Sequence, residues 1–149
     1  MSNRYGLAIR AAHPSDAEGV AALFASAGAS VTREAMAARL AASLDQPGAL
    51  LLADEWGPPA GLIAAHWRSV LTADLKQGTI STLLVAPERR RNGIARLLLK
   101  AASQAARTAG CGELSLDVPP EASDLRAFCE ATGFAPAGAR FVRALRKRG

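Results

Sequence analysis

The chain has 149 residues, half of them hydrophobic, with 18 Lys and Arg against 13 Asp and Glu for a formal charge of +5, so it is long and apolar enough for one core. No apolar run reaches the roughly 20 residues that a spanning helix needs, and the polar start at residues 1–4 is followed by no signal-peptide core, so we expect a cytoplasmic protein with no membrane partner. Cys111 and Cys129 stand far apart in sequence, and His13 and His66 are equally separate, which argues against a zinc cluster and leaves a single disulfide as the alternative to the reduced thiols expected; no metal is expected.

Residues 7–11 read as a first strand and residues 14–27 as a first helix, with Pro14 near its start and Gly28 just past its end. Thr32 is placed to cap a second helix running to about residue 44, in which Met36, Leu40 and Leu44 recur at four-residue steps. Residues 49–53 and 60–68 form a strand pair about Trp56-Gly57-Pro58-Pro59, where Trp56 packs on the turn, and residues 79–85 form the next strand. Residues 93–109 make a long amphipathic helix. Ile94, Leu97, Leu98, Ala101, Ala102 and Ala105 share one face, Arg96, Lys100, Gln104 and Arg107 the other, and Gly110 is the stop. Residues 114–118 follow as a parallel strand, Ser123 caps a helix to about residue 131, and the chain from Phe134 onward supplies the last short strands. The order β-α-α-β-β-β-α-β-α-β-β, without repeat or linker, predicts a single domain over residues 1–149 with a mixed sheet of the α/β (α+β) class.

Chemistry concentrates where the strand at 79–85 gives way to the long helix. Val85-Ala86-Pro87-Glu88-Arg89-Arg90-Arg91-Asn92-Gly93-Ile94-Ala95 sets three arginines at a helix N-terminus, which is already positive, and an anion among them relieves the conflict. Neither the Walker spacing nor the dinucleotide glycine fingerprint is present. The run Arg90-Arg91-Asn92-Gly93-Ile94-Ala95 instead fits [QR]-x-x-G-x-[GA], whose small residues let backbone N–H groups close on a pyrophosphate. Here the chain resembles the GCN5-related N-acetyltransferases (GNAT superfamily). The opening Leu7-Ala8-Ile9-Arg10-Ala11 and the ending Leu125-Arg126-Ala127-Phe128-Cys129-Glu130-Ala131-Thr132-Gly133-Phe134 resemble that superfamily's first strand and last helix, so the likeness covers nearly the whole chain.

The resemblance implies acetyl-coenzyme A as cosubstrate. Backbone groups of Leu83, Leu84 and Val85 would pair with its pantetheine arm, the turn Arg90, Arg91, Asn92, Gly93, Ile94 and Ala95 would hold its pyrophosphate, and Arg96 would add a phosphate contact. The implied reaction is direct attack of a primary amine, small or peptidic, with an oxyanion donor near Leu84 or Val85. Two usual groups differ. Cys129 occupies the place of the family's tyrosine acid, and Thr79 that of a strand glutamate, leaving His66 as the favoured titratable group and Asp117 as an orienting one. The resemblance also admits a homodimer. Two rivals are weighed: an acyl-coenzyme A sensor that has lost transfer, and, further behind, a basic nucleic-acid module, which scarce aromatics and the clustering of arginines at one turn disfavour.

Overall fold

The computed structural model describes residues 6–146, so the start at residues 1–4 lies outside it. In chain order it forms β1 (Ala8–Ala11), a 3-10 turn (Pro14–Asp16), α1 (Ala17–Ser26), α2 (Arg33–Leu44), β2 (Gly48–Asp54), β3 (Gly61–Arg68), β4 (Lys76–Val85), a second 3-10 turn (Pro87–Arg89), α3 (Ile94–Ala109), β5 (Cys111–Leu116) and α4 (Ser123–Ala131). The segment through Leu116 is one compact unit, and the chain from Asp117 is a second.

In the first unit the five strands lie side by side in sequence order. The pairs β1/β2, β2/β3 and β3/β4 are antiparallel, the last two joined by short connections and the first across α1 and α2, whereas β5 runs parallel to β4 and is reached through the crossover helix α3. Alternation along β3 assigns the two faces. Leu62 and Ala64 join Val20 and Leu23 of α1, Met36 and Leu40 of α2, and Leu50 and Leu52 of β2 in one core. Gly61 points the other way, and a Cβ there would stand 3.0 Å from Ile94 and 3.1 Å from Leu98, so the missing side chain is what lets α3 lie against the sheet. The buried line of α3 is Ile94, Leu98, Leu99, Ala102 and Ala106, rotated from the expected stripe; Leu97, Ala101 and Ala105 are its half-buried flank.

Local signals decide the element starts. Thr32 caps α2 as expected, its Oγ1 accepting the Ala35 N–H at 3.0 Å. The first helix instead begins with a 3-10 turn, in which the His13 N–H donates to Asp16 at 2.8 Å and the Ser15 N–H donates to His13 Nδ1 at 3.1 Å. Ser123 is not the cap of α4: Ala122 holds that position and makes no side-chain bond, so Ser123 is already the first helical residue. Trp56 does not pack on its turn but is 80% exposed. The fifth strand is Cys111–Leu116 where residues 114–118 were expected, because its pairing starts directly after the helix stop with Cys111 opposite Lys76.

The second unit holds the largest departure. Among the described residues no strand follows α4, in place of the two expected from Phe134 onward. A strand needs a partner edge for its backbone groups, and Pro136 removes one donor; Phe141, Val142 and Leu145 are exposed and line no ladder. What orders this unit is local: the Thr132 hydroxyl donates to the Phe128 carbonyl at 2.7 Å, the Phe134 N–H donates to the Cys129 carbonyl at 2.9 Å, and Arg140 pairs with Asp117 at 3.2 Å.

Arg10 ties the edge of the sheet to the first turn. Its guanidinium donates to both oxygens of Asp16 at 2.9 and 2.7 Å and to Asp54 of β2 at 2.6 Å. The Arg10 bond, aided by the His13 N–H and opposed by burial, holds the Asp16 carboxyl below its usual range. That contribution is complete above the unfolded aspartate value of about 3.9 and disappears as pH falls through the lower folded value. Asp16→Asn is expected to cost about 1–2 kcal/mol in denaturant unfolding at neutral pH, toward the low end because half-exposed Arg10 is screened, and the loss is expected to shrink below pH 4.

Candidate active site

β4 outruns its parallel neighbour. Lys76 to Ile80 find partners from Cys111 to Leu116, and there β5 ends, so the residues from Ser81 to Val85 have no strand on that side. The register with β3 shifts at the same point: Ala64 faces Thr82 while Ala65 faces Ile80, leaving Ser81 as an extra residue whose Oγ donates to the Ala64 carbonyl at 3.4 Å. A bulge bends and twists the strand that carries it. The sheet is therefore open beside five residues of backbone, about 16 Å of strand at 3.3 Å per residue.

The open edge leads directly to the arginine turn. The Ala86 N–H donates to Ala60 at 2.9 Å, Arg89 closes the 3-10 turn onto Ala86 at 2.8 Å, and the Arg89 guanidinium pairs with Glu55 of the β2–β3 connection at 2.5 Å. Arg89 is thus already neutralised, so the expected clash of three arginines reduces to Arg90 and Arg91. Arg90 folds back to donate from Nε to the Val85 carbonyl at 3.4 Å. Arg91 has φ of 68° and Gly93 φ of 78°, a conformation costly for any residue with a Cβ, and space around the missing Gly93 Cβ is open to 4 Å. Among the described residues the first N–H of this stretch to find an acceptor is Leu97, at the Gly93 carbonyl 3.1 Å away; those of Arg91, Asn92, Gly93, Ile94, Ala95 and Arg96 have none. Ile94 is buried and anchors the helix start. Six free donors, a glycine without steric cover and exposed Arg90, Arg91 and Arg96 fit a diphosphate group.

The other predicted residues divide between the two units. His66 lies on β3 directly opposite Thr79, one residue before β4 parts from β5, and its half-buried ring sits on the same sheet face as Ala64. Its Nε2 is 3.5 Å from Ser43 Oγ of α2, and its Nδ1 is buried with no hydrogen-bond partner among the described residues. Thr79 is exposed, and Ser115 of β5 donates to its hydroxyl at 3.4 Å. Cys129 belongs to the second unit. It is buried, and desolvation pushes its thiol pKa up, so it stays protonated at neutral pH. Asp117 follows the end of β5 and is engaged by Arg140 rather than left free. Both cysteines are free thiols, and among the described residues no group of three or more His, Cys, Asp or Glu side chains stands together to hold a metal. Sequence reading missed Ser81 and Glu55. The first was signalled by the adjacent polar pair Ser81-Thr82, which breaks strand alternation; the second carried no local signal, because its partner lies beyond the next two strands.

A mixed sheet opened beside a parallel pair, with a donor-rich helix start at its mouth, defines the architecture of an acetyltransferase. The sequence pattern of the Acetyltransferase (GNAT) family matches residues 18–134, and the chain belongs to that family. A putative acetyltransferase from Agrobacterium tumefaciens is 27% identical, with a TM-score of 0.81 over 92% of this chain and 99% of its own. Glucosamine-6-phosphate N-acetyltransferase from Arabidopsis thaliana (17% identical, TM-score 0.78, 94% and 99% covered) shares the fold. So does an aminoglycoside 6'-N-acetyltransferase from Acinetobacter haemolyticus (18%, 0.77, 95% and 99%). No curated protein matches the sequence. No described helix is long and apolar enough to cross a membrane.

Two variants test the turn. Gly93→Asp, which adds a negative charge and a strained φ, is expected to weaken coenzyme A binding by about tenfold or more in calorimetry, since about 1.4 kcal/mol already corresponds to that factor. Glu55→Gln, which frees Arg89 without touching the donors, is expected to weaken it by a smaller factor, and an unchanged dissociation constant would show that the Glu55 contact does not position the turn.

Proposed function

We propose that the chain is an N-acetyltransferase that moves an acetyl group from acetyl-coenzyme A to a primary amine by direct attack. The observation that carries this reading is the continuity of the free β4 edge, Ser81 to Val85, with the free N–H groups of Arg91 to Arg96. The turn would hold the pyrophosphate through its backbone donors, with Arg90, Arg91 and Arg96 supplying charge. Leu83, Leu84 and Val85 would pair with the pantetheine arm as an added strand pairs with an edge. Bound there, acetyl-coenzyme A supplies the activated acetyl group.

With the pyrophosphate at the Val85 end, the reacting end of the arm falls toward Ser81. This moves the favoured oxyanion donor from Leu84 or Val85 to the backbone around the bulge. His66, opposite Thr79 near that point, is assigned as the group that takes the amine's proton, because an alkyl amine with a pKa near roughly 10 reaches the site mostly protonated. The resemblance gives Cys129 the place of the departing thiolate's acid, and its protonated thiol suits the role. The family match spans both units, which supports one working domain.

The first test is the thermal midpoint with acetyl-coenzyme A, with adenosine diphosphate as the weaker control. Ligand at about a hundred times its dissociation constant is expected to add about 2.7 kcal/mol and raise the midpoint by several degrees, and no shift at millimolar ligand overturns the reading. An amine screen read by thiol release then separates transfer from sensing, since tight binding without discharge would favour the sensor. His66→Gln is expected to lower turnover by about 100-fold or more with the acetyl-coenzyme A shift retained. Cys129→Ser is expected to lower turnover at unchanged cofactor affinity; full turnover would return the thiol to a packing role.

A further inference from the structure

Acceptor approach is confined to one side of the sheet. The face opposite His66 is filled by α3, where Ile94 and Leu98 stand against Gly61 and Ile80 is buried. The His66 face is polar where β4 and β5 are still paired, leading up to the opening: Arg68, Gln77, Thr79 and Ser115 share it by register, and α2 comes down on it through the contact of Ser43 with His66. Arg68 is two residues from His66 on the same side of β3, about 7 Å along the strand, and is exposed. One turn before Ser43, on the same flank of α2, lies exposed Arg39. Neither arginine has a carboxylate partner among the described residues. The carboxylate that shares this face, Glu113 on β5, is exposed, stands two strands from Arg68 at about 10 Å, and is paired with nothing described. Asp45, just after α2, is likewise unpaired there.

We propose that the acceptor is an amine that also bears an anionic group, a carboxylate or a phosphate, which Arg68 takes up with help from Arg39 while the amine stands beside His66. This rests on the transferase reading of the same site. An unpaired guanidinium two residues from the proton acceptor, with a second exposed on the flank of α2 that meets this face, disfavours a polycationic amine and leaves a bidentate anion as the ligand that satisfies Arg68. The group that Arg68 binds does not react, so its interaction positions the amine.

The test uses the intact protein and matched acceptors: amino acids against their amides, and phosphoethanolamine against ethanolamine, with spermidine as the polycation. We expect kcat/KM from thiol release to favour the anionic member of at least one pair by about tenfold or more, the pair identifying carboxylate or phosphate as the group recognised. The preferred acceptor is also expected to raise the midpoint of the coenzyme A-loaded protein. Arg68→Gln is expected to abolish the preference chiefly through KM, and Arg68→Lys to retain part of it, because a lysine keeps the charge but not the fork. Equal or better use of the neutral member in both pairs, or of spermidine over every anionic acceptor, overturns the proposal, as does an unchanged preference in Arg68→Gln or anionic acceptors that neither discharge acetyl-coenzyme A nor shift the loaded protein. The acetyl-coenzyme A shift, measured in wild type and Arg68→Gln, is the separate control: its absence in both sinks the transferase reading itself.

Discussion

Everything proposed for this protein depends on one mismatch between neighbouring strands. β4 continues for five residues after β5 has ended, and the extra residue at Ser81 turns it away at that point. Unpaired backbone inside a sheet is normally a defect, because each free N–H or carbonyl in a dry place costs free energy. Here the free groups face an opening and lead to a helix start whose donors are equally unspent. An extended ligand with an anionic end satisfies both sets together, and the fold needs no side chain to specify it.

That backbone character explains how much was legible from residues alone. The turn from Arg90 to Ala95 announced itself because glycine, small residues and arginines at a helix start are a chemical contradiction that an anion resolves. Alternation and helical periodicity located β1 through α4 in order because burial on one face enforces them. The bulge was harder to see, since Ser81-Thr82 is a weak break in pattern and its meaning depends on where β5 stops. The Arg89–Glu55 pair was invisible, because nothing in either local sequence specifies the other. The expected final strands failed for a related reason: Phe141, Val142 and Leu145 have strand-forming side chains, but a strand is defined by its partner.

The same division between backbone and side chain runs through the site. Cofactor recognition is assigned to groups every residue carries, and discrimination among amines to a few side chains on the His66 face. On the proposed reading His66 would do the work of the strand glutamate whose place Thr79 holds, and Cys129 that of the tyrosine, which would make proton handling the part of the chemistry most particular to this chain. Position tolerates such exchange: when two reactants are held in line, much of the barrier is met by their alignment, and the groups that move protons are interchangeable within limits.

The connectivity of the sheet has a consequence for how the site comes into being. β1 to β4 pair through antiparallel neighbours close in sequence, apart from the link across α1 and α2, whereas β5 reaches β4 only after α3 has crossed the sheet and joined residues 76–80 to residues 111–116. Contacts that close long loops form late, because chain entropy is spent before they return anything. The opening beside Ser81 exists only once β5 has docked, so the site is completed after the local β2–β3–β4 pairing that borders it. A ligand lying along β4 and over the start of α3 would brace one of the two long-range joints of the sheet, the other being β1 on β2.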